Sequence, residues 1–107
     1  MSQLATRRCR PPAKGATKLD RAQITRLERE VQDWVVDEER LTRRFEFVDF
    51  TAAMRFVDAM AGVAEAEQHH PDFTVHYRVV DVVIWTHTLG GLSENDFILA
   101  AKLDQIA

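Results

Sequence analysis

Four side chains in the second half of the sequence could together move protons near neutral pH. Glu65, His69 and His70 lie within six residues of one another, directly before Pro71, and His87 follows 17 residues later. The ordinary pKa of histidine lies near neutrality, so a group of histidines can supply both a general acid and a general base. Glu65 precedes His69 by one helical turn, near enough to pair with it. This spacing predicts an acid–base site.

Purely structural roles could explain the same histidines. Two histidines before a proline can cap the C-terminus of a helix, where an imidazolium suits the helix dipole. His76 and His87 alternate with apolar residues, as half-buried strand residues do. A metal site formed by His69, His70 and His87 is a further alternative, although no H-x-x-x-H or Cys/His spacing supports it. Composition and spacing leave these alternatives open.

The helix that leads to the first histidines is predicted from a cap at Asp49 or Thr51 to about Gln68. Pro71 stops it, because proline disfavours a helical conformation at the residue before it. Five apolar residues at helical spacing should form its buried stripe, and four charged residues should face water or a cleft. The stripe is Phe50, Met54, Val57, Ala61 and Ala64, and the charged residues are Arg55, Asp58, Glu65 and Glu67.

Two strand pairs are predicted, one on each side of this helix in the chain. Residues 34–36 and 41–47 form the first pair, joined by a polar link at 37–40, and residues 73–77 and 81–87 form the second. In each longer strand, alternate residues share a face. These faces are Leu41, Arg43, Phe45 and Phe47 against Thr42, Arg44 and Glu46, then Val83, Trp85 and His87 against Val82, Ile84 and Thr86. Large side chains on both faces predict that the last strand is central, with His87 at its end, where rigid neighbours would aim it.

The remaining elements are two helices. Ile24, Leu27 and Val31 predict a short amphipathic helix over residues 20–31. Ser93 opens a final helix through residue 106, with Asp96 as its capping-box partner. The order helix, two strands, helix, two strands, helix predicts an α+β fold, in which three helices pack on one face of a four-stranded antiparallel sheet.

Residues 1–18 differ from the rest of the chain in charge. They carry five basic side chains and no acidic one, whereas the remaining nine basic and 17 acidic groups give residues 19–107 a net charge of −8. With two prolines, a glycine and almost no apolar periodicity, this segment is predicted to be a flexible basic arm, and its deletion is expected to cost little stability. An acidic body is a poor partner for phosphates, so direct nucleic-acid binding is not expected.

The bulk composition narrows the class of protein. A chain of 107 residues is long enough for one domain. No apolar run approaches the roughly 20 residues of a membrane span, and no apolar signal-peptide segment follows the start. Cys9 is the single cysteine, which excludes an internal disulfide framework and a cysteine-based zinc site. The expected location is therefore the reducing cytoplasm, away from membranes.

The spacing of the polar residues matches a known pattern. The run Glu65-x3-His69-His70-Pro71-x5-Tyr77-x9-His87-x8-Asp96 resembles the signature of the pterin-4a-carbinolamine dehydratase family. The similarity extends upstream through the tripeptides at 41–43 and 45–47, and downstream through the Gly-Leu-Ser-Glu sequence at 91–94. It covers roughly residues 24–106 and leaves only the basic arm outside.

This resemblance implies a reaction and roles for residues. Family members convert a 4a-hydroxytetrahydropterin, such as 4a-hydroxytetrahydrobiopterin, to a quinonoid dihydropterin and water, with no metal or organic cofactor. The matching catalytic residues are His69 and His87, as the acid–base pair, and His70, which binds or orients the substrate. The matching substrate-binding residues are Glu65, Thr86 and Asp96. Which histidine is the acid stays open.

The family also implies partners. Its members form homodimers or homotetramers, and the carbinolamine is released by aromatic amino acid hydroxylases, which gives a functional link to such an enzyme. Animal members double as dimerisation cofactors of a homeodomain transcription factor, and distant relatives serve as assembly chaperones. A non-catalytic dimerisation or assembly role on the same scaffold is thus the alternative. The intact histidine cluster favours the enzyme, because a pure scaffold has no reason to retain it.

Overall fold

The computed structural model describes residues 3–107, which form three α-helices, four strands and two short 3-10 turns. The helices are α1 (Arg21–Glu28), α2 (Phe50–Glu67) and α3 (Glu94–Ile106), and the strands are β1 (Val35–Asp37), β2 (Arg40–Glu46), β3 (Asp72–His76) and β4 (Val79–Ile84). The 3-10 turns are Leu4–Thr6 and His87–Leu89. No helix among the described residues combines the length and apolar character needed to cross a membrane.

The sheet confirms the predicted topology. Its order is β1-β2-β4-β3 with every neighbouring pair antiparallel, so β4 is central as predicted. Both hairpins turn tightly. Glu38 and Glu39 between β1 and β2, and Tyr77 between β3 and β4, have positive φ angles, which is the backbone conformation of primed hairpin turns. The turn at Glu38 and Glu39 adopts this conformation without a glycine, which is the residue that usually indicates such a turn in a sequence.

One face of the sheet carries the core. Leu41 and Phe45 from β2, and Val80, Val82 and Ile84 from β4, are buried on this face, where α2 and α3 pack. The predicted alternation along both strands is therefore confirmed. Asp104 of α3 fixes the helix to the sheet end, because its carboxylate accepts hydrogen bonds from Trp34 and Arg43. The α+β fold is as predicted.

The predicted buried stripe of α2 is wrong in part. The buried residues are Ala53, Phe56, Met60, Ala64 and Glu67, whereas Phe50 and Ala61 are exposed. Both sets share the spacing of a helical stripe, because apolar residues lie around much of this helix. Its packing against α3 and β4 selects the face. Glu67, predicted to face water or a cleft, has a side chain that is only 5% exposed and that lines a cavity at the end of α2.

The sequence predicted that His87 ends a strand, and this prediction is wrong. Strand β4 stops at Ile84, a single bridge joins Thr86 to Gly91, and His87 begins the 3-10 turn. Gly90 closes this turn with φ at 65°, a backbone conformation that glycine adopts without strain. The rigid support of His87 is therefore a closed loop and not a sheet strand.

The expectation that residues 1–18 bury little surface is also wrong. Leu4 is 1% exposed and Ala5 9% exposed, and both belong to the main core against α3. Lys102 on α3 donates a hydrogen bond to the Ala5 carbonyl at 2.9 Å. A single leucine within a basic stretch gives no periodic signal, so sequence patterns could not reveal this contact.

Candidate active site

The predicted histidines meet at one cavity of about 670 Å³. His69 and His70 reach it from the end of α2, and Thr86 and His87 from the loop after β4. Its volume is in the range of pockets that hold small organic ligands. The further lining residues are Cys9, Arg10, Pro11, Pro12, Ala66, Glu67, Gln68, Trp85, Thr88 and Asn95.

The end of α2 explains how two adjacent histidines separate. Gln68 adopts a left-handed conformation with φ at 52°, so the helical alternation stops one residue before His69. The His69 side chain is then 13% exposed, whereas that of His70 is 56% exposed. The chain reversal thus directs one ring inward and the other towards solvent.

His69 is held by a buried carboxylate. Its Nε2 lies 2.6 Å from Asp96 Oδ1, and Asp96 is fully buried. The other oxygen, Asp96 Oδ2, accepts the Thr86 hydroxyl at 2.9 Å and the Ser93 N–H at 2.8 Å. The last contact is the predicted capping-box interaction. Asp96 therefore has a structural role and orients a histidine at the same time.

His70 has a different carboxylate partner. Its Nε2 lies 2.5 Å from Glu65 Oε2, and both side chains are more than half exposed. The predicted pairing of Glu65 with His69 is wrong, because the left-handed residue at 68 turns His69 away from the preceding helical turn. Exposed pairs of this kind contribute little to stability, so this contact orients the His70 ring more than it stabilises the fold.

His87 is positioned by an aromatic neighbour. Its ring stacks on Trp85 with centroids 4.0 Å apart and planes inclined by 28°. The Arg40 guanidinium lies 4.1 Å from the centre of the Trp85 ring, and the Trp85 indole N–H reaches Asp72 at 3.4 Å. The stack limits the rotation of His87 although its side chain is 59% exposed. The fourth histidine, His76, lies on β3 and does not line the cavity.

The N-terminal segment forms a wall of the cavity, which sequence reasoning missed. Residues 9–12 line it, and their anchor is the buried carboxylate of Glu67. Glu67 Oε1 accepts the Cys9 N–H at 2.8 Å, and Glu67 Oε2 forms an ion pair with Arg8 Nε at 3.0 Å. Lys102 Nζ lies 3.7 Å from the same oxygen. No local pattern could predict these contacts, because they join residues between 35 and 59 positions apart in the sequence.

Burial and hydrogen bonding act in opposite directions on Glu67. Burial raises the pKa of its carboxyl, but the Cys9 N–H and the cations Lys102 and Arg8 outweigh that effect and lower the pKa below its ordinary value. Burial, followed by the neighbouring Glu67 carboxylate, raises the pKa of the Cys9 thiol to about 12. Cys9 therefore stays a protonated thiol at neutral pH and is a poor nucleophile.

Metal-ligand geometry is not found within residues 3–107. No group of three His, Cys, Asp or Glu side chains there converges as a metal site would require. In particular, His69 and His70 each direct Nε2 at a separate carboxylate. The arrangement is suited to proton transfer by histidines that carboxylates orient.

The chain is similar to known proteins over almost its whole length. The family profile described as pterin 4 alpha carbinolamine dehydratase matches residues 17–106. A protein of Nitrosospira multiformis with the provisional name pterin-4-alpha-carbinolamine dehydratase is 40% identical, over 99% of this chain and 94% of its own length. A relative from Dechloromonas aromatica with the same provisional name is 42% identical, over 96% of this chain and 92% of its own.

Two solved structures share the fold. A transcriptional coactivator/pterin dehydratase from Brucella melitensis superposes with a TM-score of 0.80 at 34% identity, covering 85% of this chain and 99% of that one. A pterin dehydratase-like protein described as a RuBisCO assembly factor in the alpha-carboxysome gives a TM-score of 0.59 at 25% identity, covering 69% of this chain and 86% of that one. The match of the profile and the near-complete coverage of the relatives show that this chain belongs to the pterin 4 alpha carbinolamine dehydratase family.

Proposed function

We propose that this chain is an enzyme that removes water from a 4a-hydroxytetrahydropterin to give the quinonoid dihydropterin. The observation that carries the proposal is His69, fixed by a buried Asp96 at a cavity that two further histidines line. Family membership supplies the substrate class, and we propose 4a-hydroxytetrahydrobiopterin, whose side chain is neutral, as one substrate of that class. The hydroxylated pterin would come from an aromatic amino acid hydroxylase.

The reaction needs one proton donor and one proton acceptor. The bond between C4a and the hydroxyl oxygen breaks while a double bond forms between C4a and the neighbouring ring nitrogen. A general acid protonates the departing hydroxyl, which leaves as water, and a general base takes the proton from the ring nitrogen. Each contribution is typically worth about 10²–10⁴-fold in rate.

The contacts of His69 suit the base. The Asp96 carboxylate accepts a hydrogen bond from Nε2 of His69, so the proton of a neutral His69 lies on Nε2. The other ring nitrogen, Nδ1, is then free to accept a proton. Asp96 has no exposed surface, so we assign it to positioning His69 and not to contact with the pterin, in contrast to the role that the family resemblance implied. Thr86, which lines the cavity and donates to Asp96, remains a substrate-binding candidate.

The acid is then assigned to His87, and His70 is assigned to binding and orienting the pterin, with Glu65 holding its ring. His87 lines the cavity and is stacked on Trp85, so its imidazole is presented at a fixed place. This assignment gives the reaction the one proton donor and the one proton acceptor that it needs.

A direct assay tests the proposal. An aromatic amino acid hydroxylase generates the carbinolamine, and its disappearance is followed with and without this protein at equal buffer concentration. Faster disappearance that scales with protein concentration is expected. A rate equal to the spontaneous one, with folded protein present, would contradict catalysis.

The alternative is a non-catalytic dimerisation or assembly cofactor. This alternative is supported by the two solved relatives, one of which is described as a transcriptional coactivator/pterin dehydratase and the other as a RuBisCO assembly factor. Homodimer or homotetramer formation is proposed for either function, on the family resemblance. Light scattering of the same preparation measures the molecular mass of the oligomer. A preparation that has lost its oligomeric state but keeps its turnover would show that assembly and catalysis are separate roles.

Replacing His87 by alanine is expected to lower dehydratase activity at least ten-fold while the fold is retained. The side chain is more than half exposed, so its removal leaves no cavity in the core. Turnover and thermal melts of His87→Ala are compared with those of His76→Ala, which removes an exposed histidine outside the cavity. An unchanged rate in folded His87→Ala would remove this residue from the mechanism.

Chelation is expected to leave activity unchanged. The nominated groups are histidines and carboxylates already paired with one another, and proton transfer needs no Lewis acid. Turnover is measured after prolonged treatment with a strong chelator and gel filtration, with the untreated protein as control. Activity that is lost and then restored by one added divalent ion would contradict a metal-free mechanism.

A further inference from the structure

The arginine at position 10 has an unusual setting. It lines the histidine cavity from the wall formed by residues 9–12 and is exposed. Among residues 3–107, no carboxylate contacts its guanidinium, whereas the neighbouring arginines are both paired. Arg7 forms an ion pair with Glu94, and Arg8 with Glu67.

The backbone of Arg10 is fixed while its side chain is free. Asn95 Oδ1 accepts the Arg10 N–H at 3.0 Å, and Asn95 Nδ2 donates to the Arg10 carbonyl at 2.6 Å. The Asn95 side-chain amide thus bonds both backbone groups of Arg10, as a residue of a neighbouring strand would. One residue earlier, the Cys9 N–H is bound by the buried Glu67. The Arg10 backbone at the cavity therefore has support on both sides, which reduces the entropy that a ligand contact would have to offset.

The charge of the cavity is unequally distributed. Glu67 also lines the cavity, but its carboxylate is buried and is paired with Arg8 and Lys102. The carboxylates nearest the histidines, Asp96, Glu65 and Asp72, lie beside His69, His70 and His87 respectively, and not beside Arg10. Arg10 thus gives the wall at residues 9–12 an unbalanced positive charge, on a side chain whose planar fork of donors matches phosphate and carboxylate oxygens.

We propose that Arg10 is a specificity-determining residue that makes pterins with an oxyanion in the side chain, a phosphate monoester or a carboxylate, bind more tightly than pterins with the neutral biopterin side chain. The inference rests on the proposed function, because the histidines are taken to bind the bicyclic ring. The proposal places the pterin side chain towards residues 9–12, which line the same cavity as the histidines. A neutral side chain gains no ionic contact there.

Binding of stable dihydropterins tests this inference without requiring turnover. Calorimetry measures Kd for three 7,8-dihydropterins that share the ring and differ in the side chain: neutral dihydroxypropyl, its phosphate monoester, and a carboxylate of similar length. For the unaltered protein, the anionic ligands are expected to bind about ten-fold more tightly at low salt. The phosphate and carboxylate arms show which oxyanion the site prefers.

Arg10→Gln should abolish the preference and leave Kd for the neutral ligand unchanged. Arg7→Gln is the matched control, because it removes the same charge from the same segment at a residue that does not line this cavity. The control should keep the preference. Equal Kd values in the unaltered protein, a preference that survives Arg10→Gln, or an equal loss in Arg7→Gln would each overturn the proposal.

Failure of the inference and failure of the proposed function give different results. Normal turnover of the neutral carbinolamine without any anion preference contradicts the role of Arg10 alone. An anion preference that Arg10→Gln removes, in a protein without dehydratase activity, supports the anion site and contradicts the reaction. In an active protein, the same preference should appear mainly in KM and should weaken as salt screens the charges.

Discussion

Replacing His69 by glutamine is expected to lower kcat for carbinolamine dehydration about 10²–10⁴-fold, the usual contribution of a positioned acid or base. Glutamine keeps an N–H that can donate to the buried Asp96, so the carboxylate is not left with one partner missing. It cannot exchange a proton near neutral pH. The loss should therefore fall on kcat, with only a small change in KM.

His76→Gln is the matched control for this experiment. The same substitution is made on an edge strand, outside the cavity and at an exposed side chain. Both variants are compared with the unaltered protein by turnover at several pH values and by thermal melt. A folded His69→Gln variant with an unaltered kcat and an unaltered pH profile would rule out the assignment of His69 as the base.

Deleting residues 1–18 is expected to destabilise the protein strongly. The deletion removes Leu4 and Ala5 from the core and takes two of the donors away from the buried Glu67. Truncating a buried leucine to alanine typically costs about 2–5 kcal/mol, which lowers the melting temperature of a domain this small by on the order of 10 °C or more. The deletion should cost at least as much as Leu4→Ala.

Two further variants separate packing from the general effect of altering this segment. Leu4→Ala tests the core contact, and Lys14→Ala changes an exposed residue of the same segment as the control. Thermal melts of all three variants are compared with that of the unaltered protein. A truncated protein that melts with the full chain would show that these contacts contribute nothing, and would support the division of the chain at residue 18, which stays a prediction.

Local patterns predicted the elements well where one face is clearly apolar. The alternation along β2 separates an apolar face from a polar one, and the apolar face carries the core. Along β4 both faces are apolar, so the sequence predicted a central strand and only the structure shows which face is more deeply buried. The caps at Asp49 and Ser93 marked helix starts, since each supplies or receives a hydrogen bond that the first helical turn otherwise lacks. On α2 the same method selected the wrong face, because apolar residues surround the helix.

The composition of the candidate site came from the sequence, but its pairings did not. The resemblance to the family signature singles out Glu65, His69, His70, His87 and Asp96, and the structure brings them to one region. The spacing suggested that Glu65 pairs with His69. The left-handed conformation of Gln68 instead pairs Glu65 with His70 and His69 with Asp96. A single backbone angle of that kind leaves no hydrophobic pattern in the sequence.

The sequence by itself determined the number and order of the strands, the starts of α2 and α3, and the family signature with its candidate acid–base residues, because these depend on residue types and on neighbours close along the chain. Only the tertiary structure decided that residues 9–12 form a wall of the cavity and that Leu4 belongs to the core. Those contacts join the N-terminal segment to residues 58 to 97 positions away. A contact over such a separation depends on which surface the folded body leaves open, and the segment's own residues, mostly basic and without apolar periodicity, carry no pattern that describes that surface.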